Sequence, residues 1–155
     1  MNRFAGALLL AASVVGVAVS LRRRTDDAEL LVKRYFDAWE SCDPDRVCEL
    51  LADDYRGHVH TLAGTEERDA DALVEVLESH CDAFEWTEFE VADVLRDGDR
   101  VAARVAMRAG HRETGGEAEM DGIVILRAKA GRIAEEWASW DYLGLATQLG
   151  LTEVA

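Results

Sequence analysis

The sequence predicts a fold of the α+β class, in which three helices precede four antiparallel strands and a separate apolar helix stands before them. Three observations support this prediction. Apolar residues recur at helical spacing between residues 26 and 84, strict alternation replaces that spacing from residue 87 onward, and residues 4–21 form an uncharged, mostly apolar run. A chain of 155 residues is long enough for one domain with a buried core but short for two.

The mostly apolar run stands apart, so we divide the chain into an N-terminal segment, 1–24, and a domain, 25–155. The 18 residues of the run are close to the shortest helix that can cross a bilayer of about 30 Å. Three arginines at 22–24 follow the run and a single arginine precedes it, which predicts a membrane anchor with the domain in the cytoplasm. A cleaved, signal-like segment and a misassigned start codon, which leaves a soluble cytoplasmic domain, are the alternatives.

The helices of the domain are predicted from apolar spacing and from residues that begin or end helices. The first, over 26–41, has one apolar face and two aspartates at its start. Pro44 fits the first turn of a short second helix through Ala52, which is followed by a short extended piece over 55–60. A third helix over 69–83 carries apolar residues along one side.

The second half of the domain predicts strands. A strand over 87–95 is followed by a hairpin turn, and on the next strand, 101–111, apolar residues alternate with arginines. Two further strands, 119–127 and 132–140, flank a tight turn. Alternation of this kind is typical of an antiparallel sheet with one buried face, so we expect the helices to lie on one face of the sheet.

The charge balance limits the kinds of partner. The chain has 31 acidic and 17 basic side chains, for a net charge of −14, and four of the arginines precede residue 25. Such an acidic domain repels phosphate backbones, so nucleic acid is not expected as a partner. Lysine occurs only twice while arginine is plentiful, a composition that fits both an acidic, halophile-like protein and the codon bias of a GC-rich genome.

The cysteines and histidines form no recognisable disulfide or metal motif. The three cysteines are odd in number and include no Cys-x-x-Cys pair, so small buried thiols are expected. His58 and His60 share one face of an extended segment and His111 could join them, but no carboxylate completes a zinc set. We therefore predict no metal, and we interpret His80, on the apolar side of the third helix, as a core residue.

Three stretches carry a family resemblance: VKRYFDAWESCDPDRVCELLADDY from Val32, AGHRET from Ala109 and GRIAEEWASWDYLGLATQLG from Gly131. Together they resemble the SnoaL-like polyketide cyclases of the NTF2-like superfamily, which also contains ketosteroid isomerase and limonene epoxide hydrolase. The resemblance covers about residues 26–151 and implies an NTF2-like cone, with three N-terminal helices packed on a curved antiparallel sheet. It also implies a cone-shaped pocket for a small apolar ligand, chemistry without a cofactor, and a fold that commonly forms homodimers.

The same resemblance implies which residues belong to the pocket. Tyr35 matches the helical tyrosine of ketosteroid isomerase that donates a hydrogen bond to the forming oxyanion. His111 matches the histidine of the cyclases' Thr-His-x-Gly motif, with Gly110 before it here. The two acidic residues usual in these families align with Val59 and Val124, so any acid–base chemistry needs a carboxyl group from elsewhere.

The last hairpin supplies a substitute for the missing acids. Centring its turn on Ala130 makes Val124 and Glu136 cross-strand partners, so that Glu136 points into the pocket. A carboxyl group held against Trp140 in an apolar site tends to have a raised pKa, which suits acid–base catalysis. The predicted catalytic residues are Glu136, His111 and Tyr35. The residues expected to line the pocket are Trp140, Val124, Ala138, Met107 and Val105.

Two functions of different classes fit this pattern. The first is a cofactor-free cyclase, isomerase or hydratase that acts on a small hydrophobic carbonyl compound or epoxide. The second is a non-catalytic ligand-binding or dimerisation module held at a membrane by residues 4–21. Convergence of Glu136 and His111 on one cavity would favour the enzyme, and divergence would favour the binding module. In either case Ile123 and Ile125 leave apolar area on the outer face of the sheet, which predicts a homodimer.

The remaining aromatic and acidic residues receive structural interpretations. Trp39 and Trp86 are expected in the core. Asp141 is expected to begin the C-terminal tail, where an acid favours the N-terminus of a helix. Asp121 falls on the face opposite to Val124 and ranks below Glu136 as a pocket carboxylate.

Overall fold

The structure is a computed structural model that describes residue 27 and residues 29–152. The predicted apolar helix at 4–21, and with it the N-terminal segment 1–24, lies outside the described residues. Among the helices that the structure describes, none is both long and apolar enough to cross a membrane. The membrane anchor therefore stays a prediction.

One curved, open sheet and the helices around it make up the described part of the chain. In chain order the elements are α1 (29–40), α2 (Pro44–Leu50), β1 (Leu51–Thr61), β2 (Gly64–Arg68), α3 (Ala70–Ala83), β3 (Phe84–Asp97), β4 (Arg100–His111), β5 (Glu117–Lys129), β6 (Arg132–Trp140) and α4 (Tyr142–Gln148). The strands lie in the order β2-β1-β6-β5-β4-β3. This is an α+β, NTF2-like cone, so the predicted fold class is confirmed.

Alternation along the strands places one face of the sheet in the core. On β4 every second residue from Val101 to Ala109 is buried, whereas Arg104 and Arg108 between them are exposed. The helices supply the other side of the core. Their buried apolar residues include Val32, Tyr35, Phe36, Leu73 and Leu77. The cone therefore has an inner face that packs against helices, while the outer face carries no helix among the described residues.

The front of the domain contains one strand, β2, that we did not predict, and the extended piece predicted over 55–60 is part of the longer strand β1. Asp43 accepts a hydrogen bond from the backbone N–H of Arg46 and so caps α2, but this helix ends at Leu50, two residues earlier than expected. β1 begins at once and pairs in parallel with β6, at the far end of the sequence. Because this pairing joins residues about 80 positions apart, local periodicity cannot reveal it.

The register of the last hairpin differs from the prediction by two residues. The turn contains two residues, Ala130 and Gly131, both at positive φ, and a bulge follows where Arg127 pairs with Glu135 and Ala128 pairs with Ile133. As a result Val124 pairs with Ala138 and Leu126 with Glu136. A shift of two residues leaves every side chain on its original face, so Glu136 still points to the inner face as predicted.

Two of the three cysteines form a disulfide, contrary to the expected buried thiols. Cys42, which follows α1, is bonded to Cys81 near the end of α3, with 6.0 Å between their Cα atoms. Cys48 is an exposed free cysteine on α2. No sequence pattern indicated this bond, because 39 positions separate the two residues and only the packing of the chain after α1 against the end of α3 brings them together.

Three further interpretations of single residues have different outcomes. Asp141 caps α4 by accepting a hydrogen bond from the backbone N–H of Gly144 at 2.9 Å, as predicted. Trp39 packs partly buried against the main core, also as predicted. Trp86 does not join the core, because it lies over Gly110, whose position on β4 alternates to the outer face of the sheet.

Candidate functional site

The best-formed cavity of the described residues lies between α1, α3 and the inner face of the sheet. Its volume is about 120 Å³, close to that of the apolar cavities that hold a benzene ring. The apolar side chains on its walls include Phe36, Leu73, Phe89, Met107, Met120 and Trp140. The polar side chains on its walls are few, and each has a distinct setting.

Glu136 is the carboxyl group of this cavity. Its side chain lies on the inner face of β6 and only 5% of the residue is exposed. The hydroxyl groups of Tyr35 and Tyr55 both donate hydrogen bonds to its Oε2 atom, at 2.9 and 2.6 Å. Among the described residues none donates to Oε1. One oxygen of the carboxyl group is therefore held in place, while the other is free to meet a ligand.

Three elements that are distant in sequence bring this cluster together. Tyr35 comes from α1, Tyr55 from β1 and Glu136 from β6, which is the parallel neighbour of β1. Gly57 lies directly opposite Glu136 in that pairing. A Cβ atom at Gly57 would lie 2.7 Å from the Tyr55 hydroxyl oxygen, closer than contact allows. Glycine at this position thus leaves the room that the Tyr55 hydroxyl needs to reach the carboxyl group.

Burial controls the ionisation of the cluster. Desolvation raises the pKa of Glu136 above the ordinary carboxyl value, although the hydroxyl groups of Tyr55 and Tyr35 and, more weakly, the charge of Arg68 act in the opposite direction. Burial, followed by the charge of Glu136, raises the pKa of Tyr35 and of Tyr55. Both tyrosines therefore keep their protons at neutral pH and act as donors to a carboxyl group whose charged form is disfavoured.

His111 does not line the cavity that contains Glu136. It lies at the end of β4, where its Nδ1 atom is 3.1 Å from Oγ1 of Thr114, and it lines a separate groove beside the cavity. The expected convergence of His111 with Glu136 is thus not found. Strand alternation places His111 on the inner face, but that pattern does not tell how far along the strand the cavity extends.

His80 lines the cavity instead, although the sequence indicated only a core residue. Its Nε2 atom lies 2.8 Å from Oγ1 of Thr87, and Trp39 packs edge-on against its ring. Burial lowers the pKa of His80 to about 4, so the imidazole is neutral at pH 7. The position of His80 on the apolar side of a helix was the available signal, but it is shared by core histidines.

Trp39 contributes an unpaired donor to the same cavity. The Trp39 side chain is on the cavity wall, and its Nε1 atom is buried without a hydrogen-bond partner in the described part of the chain. A buried N–H group without a partner costs about 1–3 kcal/mol. The N–H group lies beside the Tyr35 hydroxyl group and opposes the rise of its pKa, without forming a full hydrogen bond.

The remaining predicted pocket residues divide into two groups. Trp140, Ala138 and Met107 line the cavity, as does Val59, one of the two positions where related proteins carry an acid. Val105 and Val124 do not line it. Both are fully buried in the main core cluster, where neighbouring side chains cover them.

The histidines at 58 and 60 have ordinary contacts. The Nε2 atom of His58 is 3.2 Å from Oε1 of Glu135, and its ring stacks on Trp137. His60 contacts Thr65 across the β1–β2 pair. Residues 29–152 contain no group of three or more His, Cys, Asp or Glu side chains placed to hold a metal ion.

Comparison with known proteins gives one family. The sequence model of the SnoaL-like domain matches residues 32–136, which is more than half of the chain. No curated protein matches this chain.

Several solved structures share the fold. IdmH, a proposed polyketide cyclase from Streptomyces antibioticus, is 27% identical, with a TM-score of 0.72 over 79% of this chain and 98% of its own. AclR, a proposed hydroxylase from Streptomyces galilaeus, is 21% identical, with a TM-score of 0.74 over 84% of this chain and 89% of its own. A proposed polyketide cyclase from Bacillus cereus is 22% identical, with a TM-score of 0.72 over 82% of this chain and 83% of its own.

Proposed function

The chain belongs to the SnoaL-like domain family, and from that premise we propose that its cavity binds a small, mostly apolar carbonyl compound on which Glu136 acts as a cofactor-free acid–base catalyst. One observation carries the proposal. A buried carboxyl group with a raised pKa has one oxygen fixed by two tyrosines and the other free, on the wall of an apolar cavity. A carboxyl group in this setting is well matched to proton transfer near neutral pH.

The reaction class that fits is enolisation, the common first step of isomerisation and aldol-type cyclisation. The Glu136 carboxylate takes a proton from the carbon next to the carbonyl group, and the electron pair of that C–H bond forms the enolate. The negative charge then lies on the carbonyl oxygen, and the indole N–H of Trp39, whose side chain is on the cavity wall, is the donor proposed to stabilise it. The proton returns from Glu136 to a different atom, or the enolate carbon attacks a second carbonyl group.

The tyrosines have a positioning role in this scheme. The sequence suggested that Tyr35 donates to the oxyanion, but its hydroxyl group donates to Glu136 instead. Together with Tyr55 it fixes Oε2 and leaves Oε1 toward the ligand. Orientation of this kind is a large part of what a general base needs in a water-poor site.

Exchange of α-protons in a one-ring ketone tests the proposal. Cyclohexanone in D₂O is expected to exchange its α-protons faster with the protein than in buffer, and Glu136→Gln should lower the protein-dependent rate at least about 100-fold. The rate should rise with pH as Glu136 loses its proton and level off above its raised pKa. NMR follows the exchange, and His111→Ala serves as the control because His111 does not line the cavity. No exchange above buffer with the natural sequence would contradict enolisation.

A second function, ligand binding without turnover, is favoured by two observations. Val59 and Val124 are apolar where related proteins carry acids, and His111 opens onto a different space. A binding module would retain a ligand unchanged, either free or tethered through residues 4–21. Mass spectrometry of gently purified protein that recovers an intact apolar ligand, together with no α-proton exchange, would favour this function over catalysis.

We also infer that a second copy of the chain covers the outer face of the sheet. A row of apolar residues crosses four neighbouring strands on this face, because each is paired with the next: Leu95, Ala102, Ile125 and Trp137. Nearby Ile123 is 57% exposed. The ion pairs Arg104–Asp93 and Arg108–Glu119 carry both signs of charge on this face. A surface with an apolar centre and both charges at its sides is self-complementary about a two-fold axis.

Sedimentation equilibrium tests the dimer. The natural sequence is expected to sediment as a dimer and Ile123→Asp as a monomer, because the new charge would be buried without a partner. Leu62→Asp is the matched control, since Leu62 is a similarly exposed apolar residue away from this face. A monomeric natural sequence would contradict the inference.

A further inference from the structure

A second, larger space adjoins the cavity of Glu136. This groove has a volume of about 550 Å³, and its apolar walls include Leu62, Phe84, Leu145, Leu149 and Leu151. Arg68, Val76 and Tyr142 line both spaces, so the groove and the cavity meet at these three residues. A molecule too large for the cavity can therefore extend into the groove.

Arg68 is the one arginine or lysine among the described residues that line either space. Its side chain is only 12% exposed, and its one hydrogen bond within the described part of the chain goes from Nη2 to Glu66, at 2.8 Å. A guanidinium group has five N–H donors. Most of the donors of this nearly buried cation are therefore free at the junction of cavity and groove.

A nearly buried cation with free donors favours an anion as its partner. Removing a charge from water is costly unless an opposite charge and hydrogen bonds replace the water. The Glu66 carboxylate supplies part of that compensation from the exposed side, since half of its side chain is exposed. On the inner side the charge of Glu136 acts on the guanidinium group, but no hydrogen bond joins the two groups in the described part of the chain.

We propose that the ligand carries an ionised acidic group that binds Arg68, with a ring-sized part in the cavity beside Glu136 and a larger apolar part in the groove. The proposal rests on the proposed function and adds the substrate class, an amphipathic carbonyl compound with one anionic group between its two apolar parts. The volumes agree with this division, since the cavity holds about one ring and the groove is several times larger.

Such an anion would also act on Glu136. The positive charge of Arg68 lowers the pKa of Glu136. An anion bound to Arg68 cancels that charge, so the pKa of Glu136 rises further when the ligand is in place. The carboxylate is then a stronger base in the presence of the correct ligand than in the empty protein.

Two fluorescent probes of nearly the same shape test the proposal on the full chain. 8-Anilino-1-naphthalenesulfonate has a single ring for the cavity, a double ring for the groove and an anionic group between them, and N-phenyl-1-naphthylamine is its neutral counterpart. Arg68→Gln is expected to weaken binding of the anionic probe at least about 10-fold and to change binding of the neutral probe less than about 2-fold. Arg68→Lys should restore part of the affinity for the anionic probe.

Glu66→Gln provides a second variant that does not disturb the buried side of Arg68. It removes the competing carboxylate, so the anionic probe should bind several-fold tighter (about 3-fold or more) while the neutral probe is unaffected. Ile123→Ser on the outer face is the control for probe binding at another surface, and it should leave the affinity for both probes unchanged.

Three results would overturn the proposal. The anionic probe could bind Arg68→Gln as tightly as the natural sequence, both probes could weaken equally in that variant, or the anionic probe could weaken only in Ile123→Ser. Each of these leaves the α-proton exchange by Glu136 standing, because that assay uses a neutral one-ring ketone. Failure of both probes to bind the natural sequence would overturn this proposal and the ligand-binding part of the proposed function together.

Discussion

Loss of the Cys42–Cys81 disulfide is expected to lower the free energy of unfolding by about 4 kcal/mol. The bond closes a loop whose ends are 39 residues apart, so it restricts the unfolded chain strongly. This amount is a large part of the roughly 5–15 kcal/mol that stabilises an ordinary domain. The bond also joins the end of α1 to the end of α3, close to Trp39 and His80 on the cavity wall.

Urea unfolding measures the effect. The oxidised protein, the reduced protein and the double variant Cys42→Ser/Cys81→Ser are compared, and the last two should unfold at similar, lower urea concentrations. Cys48→Ser is the control, because Cys48 is exposed and unbonded, and it should change the midpoint little. An unchanged midpoint in the double variant would show that the bond does not form in solution.

Removal of both hydroxyl groups that hold Glu136 is expected to have a comparable effect. The double variant Tyr35→Phe/Tyr55→Phe should lower the free energy of unfolding at pH 8 by about 3–6 kcal/mol, since each donor to a charged group contributes about 1.5–3 kcal/mol. Without these donors the carboxylate of Glu136 would be buried with no hydrogen bond from the residues that now hold it.

The loss should depend on pH in a definite direction. The pKa of Glu136 is raised in the folded protein, so its contribution to stability is fully present below the ordinary carboxyl pKa and is lost as pH rises through the folded value. Without the two hydroxyl groups that pKa rises further, because both of them favour the carboxylate. The difference between the double variant and the natural sequence should therefore be larger at pH 8 than at pH 4.

Urea unfolding at the two pH values, repeated in a Glu136→Gln background, checks this prediction. Glutamine cannot ionise, so the double tyrosine change should cost less there and about the same at both pH values. Burial lowers the pKa of His80 to about 4, so the stability of every variant falls as pH falls from about 6.5. This loss is the same in each variant and cancels when their free energies of unfolding are compared. With Glu136 itself present, an equal loss of stability at pH 4 and pH 8 would mean that the buried carboxyl group is not charged at pH 8.

The position of Glu136 shows how much a strand pattern can predict. The sequence placed its side chain on the inner face, and the structure agrees although the hairpin register was wrong by two residues. The period of a strand is two, so the turn and the bulge together moved the pairing without changing the face. For the same reason alternation predicted the buried face of β4 correctly.

Other parts of the site could not be predicted in this way. Tyr55 reaches Glu136 only because β1 pairs in parallel with β6, and nothing near Tyr55 in the sequence indicates that neighbour. His111 lies on the expected face but beyond the cavity, because a period gives the face of a strand and not the depth of a pocket.

The sequence by itself determined helices α1–α3, strands β3–β6, their buried faces and the family, because these follow from spacing and motifs within one segment of chain. Only the tertiary structure decided which side chains meet: Tyr35, Tyr55 and Glu136 around one carboxyl oxygen, Cys42 with Cys81, and Arg68 between two spaces. The physical reason is that these contacts join residues tens of positions apart. Their energies depend on the distance between elements after packing, and no local pattern records that distance.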